Sequence, residues 1–510
     1  MSATKKCWVQ TRFLVVVLCL LAGTYCVTGA TQVVTKTGDT DDGVCDSDCS
    51  LREAIAAAGS GDTVTFDPDL FMTPRIIHLG SMLLIDKNIT IHGVGGVIID
   101  GNNVCRVLDV NNLGTATITD LTISGGNGSG IVITNDGGAI INSGNLTLVN
   151  VTVTGNSTSG NGGGIANGSL QGATMSIVNS TISDNSANGT VDGGGIYSVN
   201  SVLNVVGSTV SSNLTGLNGG GIYSQGGTLT INEAAIVSNR SSFDGGGVFG
   251  VAAISNTTIS GNRASQSGGG FNGGGTLTNV TITNNALPDN IVSPGAGIHI
   301  PIGSLLTMGN SIVAGNSITG PVNPTNGRDI SGAFTSNGNN LVQVRNGSSG
   351  YIASDLPDGT DPLLGQLTNN AGLSPTRALQ INSPAIDAGN NVLVVGPNDQ
   401  RGSGFTRIVT GTVDIGAFEV QGPTAAPVVV QGKVTRADGG AIYNARVRMT
   451  GLRSVSFALT NPFGYFRMAN VEAGGTYILD VTHKRYTFLP QVVNVNDAMD
   501  DLNVTAKPDY

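Results

Sequence analysis

One eleven-residue pattern recurs along the middle of this chain, and it limits the available folds more than any other feature. It reads LTLVNVTVTGN at 146–156, MSIVNSTISDN at 175–185, LNVVGSTVSSN at 203–213, LTINEAAIVSN at 229–239, AAISNTTISGN at 252–262 and LTMGNSIVAGN at 306–316. The copies align without gaps. ATITDLTISGG at 116–126 and LTNVTITNN at 277–285 belong to the same series. Glycine triplets separate the copies, at 162–164, 193–195, 219–221, 245–247 and 268–270, and their starts lie 31, 26, 26 and 23 residues apart. Looser versions begin at Gly137 and Gly295. Self-similarity at such a period is the mark of a stacked repeat array.

Within one copy the apolar residues alternate and then change phase. Leu146 and Leu148 share a face, Asn150 interrupts, and Val151 and Val153 resume on the opposite parity. Two short strands joined by a tight corner explain this, because strand side chains alternate with period two. The corner column reads Asp120, Asn150, Asn179, Gly207, Glu233, Asn256, Asn279 and Asn310. Asn and Gly tolerate the left-handed backbone that a corner requires. A third strand opens after each triplet, as at Gly195-Ile196-Tyr197-Ser198. Three short strands per coil predict an all-β chain built as a parallel β-helix over residues 85–345. Its inward columns are Leu148, Ile177, Val205, Ile231, Ile254, Leu277 and Val153, Ile182, Val210, Ile236, Ile259, Ile282. The asparagines at 156, 185, 213, 239, 262, 285 and 316 are expected to form a hydrogen-bonded ladder, as repeated buried Asn does in β stacks. The many Asn-x-Ser/Thr sequons arise from this repeat and do not by themselves imply glycans.

Composition excludes other classes. With 76 glycines in 510 residues and only 11% charged residues, the chain lacks the Glu, Lys and Leu of a coiled coil. Its glycines are clustered, unlike collagen's. Residues 1–30 read as a secretory leader: Lys5, Lys6 and Arg12 precede an apolar run at 13–22 that is too short to span a bilayer comfortably. Cleavage after Ala30 is expected, in preference to an uncleaved anchor, and Tyr25 before Cys26 is too bulky for a lipoprotein cleavage box. No later segment is long and apolar enough to span a membrane. Residues 31–424 carry 12 bases against 27 acids, whereas residues 425–510 carry 9 against 7. No Lys occurs between Lys87 and Lys433. Such a surface makes nucleic acid and anionic polysaccharide poor partners.

Beyond the leader stand Cys45, Cys49 and Cys105. Export favours one disulfide, and Cys45–Cys49 is the nearest pair, with the pairing of Cys105 left open. Ser50-Leu51-Arg52-Glu53 is a capping box. It starts a helix whose face is Leu51, Ala54, Ile55 and Ala58, with Gly59 ending it. A helix there, within an N-terminal cap over 31–84, would cover the exposed strand edge of the first coil. Gly422-Pro423-Thr424-Ala425-Ala426-Pro427 reads as a linker, placed at 421–427. Beyond it, runs at 428–435, 445–450, 465–468, 477–481 and 491–495 predict a small β-sandwich over 428–510.

Several of these segments resemble known families. Cys49-Ser50-Leu51-Arg52-Glu53-Ala54-Ile55 matches the CSLREA motif that opens many exported β-helix proteins. The glycine triplets and Thr-Ile-Ser-x-Asn copies resemble polymorphic outer-membrane-protein repeats and right-handed β-helix proteins. Asp361-Pro362-Leu363-Leu364-Gly365, Ser383-Pro384-Ala385-Ile386-Asp387-Ala388-Gly389, Asp399-Gln400-Arg401-Gly402 and Asp414-Ile415-Gly416-Ala417-Phe418-Glu419 look like a choice-of-anchor Q region. That resemblance implies that 346–420 forms the C-terminal end of the β-helix. Gly432-Lys433-Val434-Thr435, Phe463-Gly464-Tyr465-Phe466 and Gly475-Thr476-Tyr477 resemble carboxypeptidase regulatory-like domains, which implies a noncatalytic sandwich.

Function is expected to be non-catalytic: an exported extracellular or cell-surface protein that adheres to glycans or cell-surface proteins. The alternative is a glycoside hydrolase or lyase acting on a neutral glycan. A lyase would need clustered acids with a Lys or Arg base, and the helix offers only Arg240, Arg263, Arg328 and Arg345. Inverting hydrolases hold two carboxylates ~6.5–9.5 Å apart. Asp192 and Asp244 stand two coils apart, ~9.6 Å by stacking, with Asn218 between them and Asp136 and Asn161 in the same column. Asp or Asn before glycine is also what a turn requires, so no residue is assigned a catalytic role. Asp387, Asp399, Asp414 and Arg401 read as a structural ion-pair network. The four histidines are scattered. No cofactor is implied except calcium at Asp39-Thr40-Asp41-Asp42-Gly43, which lacks the distal Glu of a calcium loop. The candidate contact surface is the column Tyr197, Tyr223 and Phe249, each following the apolar residue after a triplet, with Asp192, Asn218 and Asp244 beside it. Outward rings would present their faces to sugars. The competing readings are a self-stacking ladder and an inward core column.

Overall fold

The structure is a computed structural model that describes residues 29–508 except 95, 131–133, 169–171, 289–294, 319–327, 410, 422–426 and 453. The expected leader, save its last two residues, and most of the expected linker lie outside the described residues. The chain is all-β, a parallel solenoid of about ten turns followed by small antiparallel sheets. Parallel strands with such crossovers wind right-handed. Among the described residues no helix is long and apolar enough to cross a membrane.

Each central coil places three strands on three faces. In successive coils Asn145–Val149, Thr174–Val178, Val202–Val206 and Thr228–Asn232 pair in parallel, as do Thr152–Thr154, Thr181–Ser183, Thr209–Ser211 and Ala235–Val237. The third face runs through Ile140–Asn142, Ile165–Asn167, Ile196–Val199 and Ile222–Gln225. Register follows the sequence alignment residue for residue: Leu148 pairs with Ile177, Ile177 with Val205, Val205 with Ile231, Ile231 with Ile254 and Ile254 with Leu277. All six are at most 2% exposed. All eight corner residues have left-handed backbone, from Asp120 (φ 59°) to Asn310 (φ 48°). A short fourth ladder, absent from the sequence reading, joins Ser157–Thr158, Ser186–Ala187, Leu214–Thr215 and Arg240–Ser241 inside the loops before the triplets. The parallel pairing also extends N-terminally, since Thr31–Val34 pairs with Asp62–Phe66, which pairs with Asn88–His92.

The asparagine column is a continuous buried ladder. Asn156, Asn185, Asn213, Asn239, Asn262 and Asn285 each donate both a backbone N–H and a side-chain N–H to the Oδ1 of the next member, at 2.9–3.1 Å. The ladder closes on a carboxylate: Asn316 Nδ2 donates to Asp329 Oδ1 at 2.8 Å, and Val344 N donates to Asp329 Oδ2 at 2.9 Å. Burial pushes the Asp329 carboxyl up to about 6, against its hydrogen bonds and the nearby Arg328. The folded state therefore holds this proton more tightly than the unfolded state does. The associated stability is full below about pH 4 and is lost as pH rises through about 6, a change of about 3 kcal/mol. Asp329→Asn is expected to abolish this component of the pH dependence. The check is the denaturation midpoint of both proteins between pH 4 and 7; parallel profiles would count against it.

The N-terminal helix is Leu51–Ala57, with the capping box in place: Glu53 N donates to Ser50 Oγ at 3.2 Å and Ser50 N donates to Glu53 Oε2 at 2.6 Å. Bonds from the backbone N–H groups of Ser50 and Asp42 hold the Glu53 carboxyl down to about 2. The expected face of Leu51, Ala54, Ile55 and Ala58 is buried. Ala58 rather than Gly59 caps the C-terminus, in extended backbone, because Lys87 Nζ donates to the carbonyls of Ile55, Ala56 and Ala58 at 3.2 Å and no left-handed cap is needed.

Residues 371–420 do not continue the stack; they fold back along its flank. Ser374 Oγ donates to the Glu233 carbonyl, Arg377 Nε to Ser260 Oγ, Asn256 Nδ2 to the Val395 carbonyl and Ala417 N to Thr281 Oγ1. Outward residues on this face are polar at Thr181, Ser183, Thr209, Ser211, Thr258, Ser260, Thr281 and Thr283 and apolar at Ala235, Val237, Ile312 and Ala314; from Ala235 onward all of these are buried. Arg401 pins the returning segment. It donates to both Asp399 oxygens and lies between the Phe405 and Phe418 rings, 4.0 and 3.9 Å from their centroids. Asp414 Oδ1 accepts from Asp387 N and its Oδ2 from Val420 N, so these acids act as loop staples.

In the antiparallel unit, Tyr465–Val471, Val428–Thr435 and Val504–Thr505 form one sheet. The other runs in the order Val455–Leu459, Arg446–Thr450, Gly475–Thr482, Gln491–Val495. One buried core including Val434, Val447, Phe466, Tyr477 and Leu479 lies between them. Five strands stand where the sequence places them; Val455–Leu459 and Val504–Thr505 were missed.

Candidate functional site

The column after the glycine triplets points outward. Ile196, Ile222 and Val248 are fully buried, and in register beside them Tyr197 pairs with Tyr223 and Tyr223 with Phe249. The three rings stack with centroids 5.3 and 5.1 Å apart and interplanar angles of 10° and 1°. Tyr197 and Phe249 are half-buried, while Tyr223 is 8% exposed. This corrects the expectation of presented ring faces. Both faces of Tyr223 are covered by its neighbours, so what it shows is a ring edge. The Tyr223 hydroxyl donates to Gln225 Oε1 at 2.8 Å. Burial, then the charge of Asp192, pushes this phenol up to about 12, and burial likewise raises Tyr197, so both hydroxyls stay protonated.

Beside the rings the turn residues form their own ladder. Asn161 donates from N and Nδ2 to Asp136 Oδ1, Asp192 N to Asn161 Oδ1, Asn218 N and Nδ2 to Asp192 Oδ1, and Asp244 N to Asn218 Oδ1. Ser267 Oγ then donates to Asp244 Oδ1 at 2.6 Å. Burial raises the Asp192 carboxyl. Asp192 and Asp244 thus each commit an oxygen to the adjoining coil, as turn residues do. The ladder was missed as a bonded unit, although its alternating Asp and Asn at one repeat position is the signal for it.

Triplet and rings are coupled sterically. A Cβ on Gly193, Gly219 or Gly245 would lie 2.7–2.8 Å from the Cβ of Tyr197, Tyr223 or Phe249 respectively. The first glycine of each triplet is therefore the floor on which the ring column rests.

Cys45 and Cys49 are disulfide-bonded and Cys105 is a buried free thiol. The Asp39 carboxylate accepts from Arg52 Nε and Nη2 at 3.1 and 2.8 Å and from Gly80 N. Asp41 and Asp42 close local turns onto Gly43 N and Val44 N. Among the described residues no group of three or more His, Cys, Asp or Glu is arranged to hold a metal ion. A cleft of about 740 Å³ lies between the N-terminal helix and the first coils, away from the rings, and is lined by Arg52, Met82, Lys87 and Cys105 among others.

Fold and surface together define a class: a long parallel β-solenoid with buried asparagine ladders, a helical N-terminal cap and an external strip of stacked rings, joined to a small antiparallel β unit. No family model matches the chain, and no curated protein matches it.

Proposed function

We propose that the chain is an exported extracellular or cell-surface protein whose solenoid is a rigid rod that adheres, without chemistry of its own, to neutral glycans or cell-surface proteins through the Tyr197–Tyr223–Phe249 strip. The observation carrying this reading is the outward stack of three rings beside the Asp136–Asp244 turn ladder. Aromatic groups with a polar rim suit sugar C–H surfaces and hydroxyls. The commitment of Asp192 and Asp244 to hydrogen bonds within the ladder argues against a free acid–base pair there. The leader at 1–30 and the resemblance of residues 49–55 to the CSLREA motif support export. The resemblance of 361–419 to choice-of-anchor Q regions and of 428–510 to carboxypeptidase regulatory-like domains supports a surface role.

A panel of neutral and acidic polysaccharides, read for both binding and released reducing ends, tests this. Binding without cleavage is expected. Replacing Tyr197, Tyr223 and Phe249 together by Ser should weaken it at least tenfold in a protein that still folds, with the melting temperature lowered by the loss of the stack. Because the middle ring is enclosed, Tyr197→Ser and Phe249→Ser should each weaken binding more than Tyr223→Ser does. Unchanged binding in the folded triple variant would sink the reading, and released reducing ends would favour the hydrolase alternative.

A further inference from the structure

Most free strand ends and edges of this molecule are protected. The helix Leu51–Ala57 packs at the N-terminal end of the solenoid against Thr31–Val34 and Asp62–Phe66. Asp329 closes the asparagine ladder at the other end, and Asp355 Oδ1 accepts from the N and Nδ2 of Asn340 there. In the antiparallel unit, the edge strand Gln491–Val495 is preceded by Pro490. Charge, proline and bulges are the usual defences of an edge. Val455–Leu459 has none of them. It is the other edge of its sheet, its sequence Val-Ser-Phe-Ala-Leu is uncharged, and its five pairs with Arg446–Thr450 run without a register shift.

That strand also shows its apolar side to solvent. Val455, Phe457 and Leu459 are 58%, 66% and 60% exposed, and Phe463 and Tyr465, after the following turn, are 71% and 54% exposed. Ser456 and Ala458, on the other parity, are half-buried, with Ala458 against the core. In a chain with 5% aromatic residues, this grouping is out of proportion. A bare, neutral, apolar edge is a template for another strand.

We infer that this edge pairs with the same edge of a second copy of the chain, antiparallel about a two-fold axis at Phe457. The pattern is self-complementary: the axis sets Phe457 against Phe457 of the second copy and Val455 against its Leu459, with apolar side chains on one face and small ones on the other. Aromatic and β-branched cross-strand pairs are the stabilising kind. Neutrality favours a second copy over a charged partner strand, which would find no counter-charge on Val455–Leu459. Among the described residues, the cations on the neighbouring strand are engaged: Arg446 stacks over the Phe457 ring at 5.4 Å, and Arg448 lies 4.0 Å from Asp480. Joining two edges yields one eight-stranded sheet and uses up both bare edges, so assembly stops at two. For an adhesive rod, two copies would double the binding strips, though the pairing stands whether or not the strip binds glycan.

Sedimentation equilibrium of the purified chain, from micromolar to near-millimolar, tests this. The mass is expected to rise toward twice that of the monomer. Phe457→Lys and Phe457→Glu alone should each stay monomeric with unchanged melting temperature, and a one-to-one mixture should recover the doubled mass. Phe457→Cys, which adds no charge, should give a disulfide-linked dimer on mild oxidation, and Leu452→Cys should not. A wild-type chain monomeric throughout, or dimers that persist equally in Phe457→Lys, would overturn the proposal. So would a mixture that stays monomeric, or a Phe457→Cys variant that does not cross-link.

Discussion

Asn213→Ala should be among the most damaging single side-chain truncations in the solenoid, although it removes no apolar surface from the core. Asn213 lies in the middle of the ladder and is 1% exposed. Its Oδ1 accepts from both N and Nδ2 of Asn185, and its Nδ2 donates to the Ile182 carbonyl at 2.9 Å and to Asn239 Oδ1. Truncation leaves two donors on Asn185 and one backbone acceptor on Ile182 buried without these partners. Each orphaned group costs about 1–3 kcal/mol, so a loss of about 3–9 kcal/mol is expected. Water has little access, because the third glycine of each triplet packs against the ladder: a Cβ on Gly195 would lie 2.9 Å from Asn213 Nδ2. Asn179→Gly is the control. Asn179 is exposed at a corner with φ 49°, and Gly207 fills the same position one coil later with φ 60°. That change should cost under about 1 kcal/mol, a glycine being at ease there. Denaturant midpoints of the two variants decide the matter. Equal midpoints would show that the ladder is not a stability element.

The columns were legible because a stacked repeat writes the same physical constraint many times. Leu148, Ile177 and Val205 show one face, and eight corner residues announce one left-handed bend. Contacts made once leave no such record. The bond between Thr258 and Gln400 joins residues 142 apart, and nothing periodic connects them. Polarity does not mark the covered flank either, because its buried outward positions include polar Thr258, Ser260, Thr281 and Thr283 beside apolar Ala235, Val237, Ile312 and Ala314. The ring column was legible as a column, but alternation says only which way a side chain points. How much of Tyr223 its neighbours leave open depends on ring rotamers and on the 5.1–5.3 Å spacing of the stack. Val455–Leu459 escaped although its alternation is as regular as that of the unrepeated strands read in the same unit.

The glycine triplet makes the second strong prediction, and it separates two reasons for requiring glycine. Gly220, the middle residue of its triplet, does not have left-handed backbone, so its requirement is one of space. A Cβ there would lie 2.4 Å from the Gly246 carbonyl oxygen and 2.5 Å from the Arg240 carbonyl carbon. Both obstacles are backbone, held by bonds such as Gly220 N to Gly245 O at 3.0 Å and Arg240 N to Asn213 O at 2.8 Å. No rotamer change relieves the clash; the coil spacing itself must open, breaking the parallel ladder on both sides. Gly155 is the opposite case, with φ 66° and nothing within 4 Å of an added Cβ. There alanine incurs only the strain of left-handed backbone, about 1–2 kcal/mol. Gly155→Ala should therefore fold, with a modestly lowered midpoint. Gly220→Ala should lose more than about 4 kcal/mol, the range reserved for disrupted cores and strained backbone. Because a solenoid is stabilised by neighbouring coils, the damage should spread to the adjoining turns. Hydrogen exchange should show protection lost first at the amides of Ile196, Ile222 and Val248, where Ile196 N donates to Gly221 O and Ile222 N to Gly247 O. A Gly220→Ala protein as stable as Gly155→Ala would mean that the coils can separate at the triplet at little cost, and that the ring column above it rests on a yielding floor.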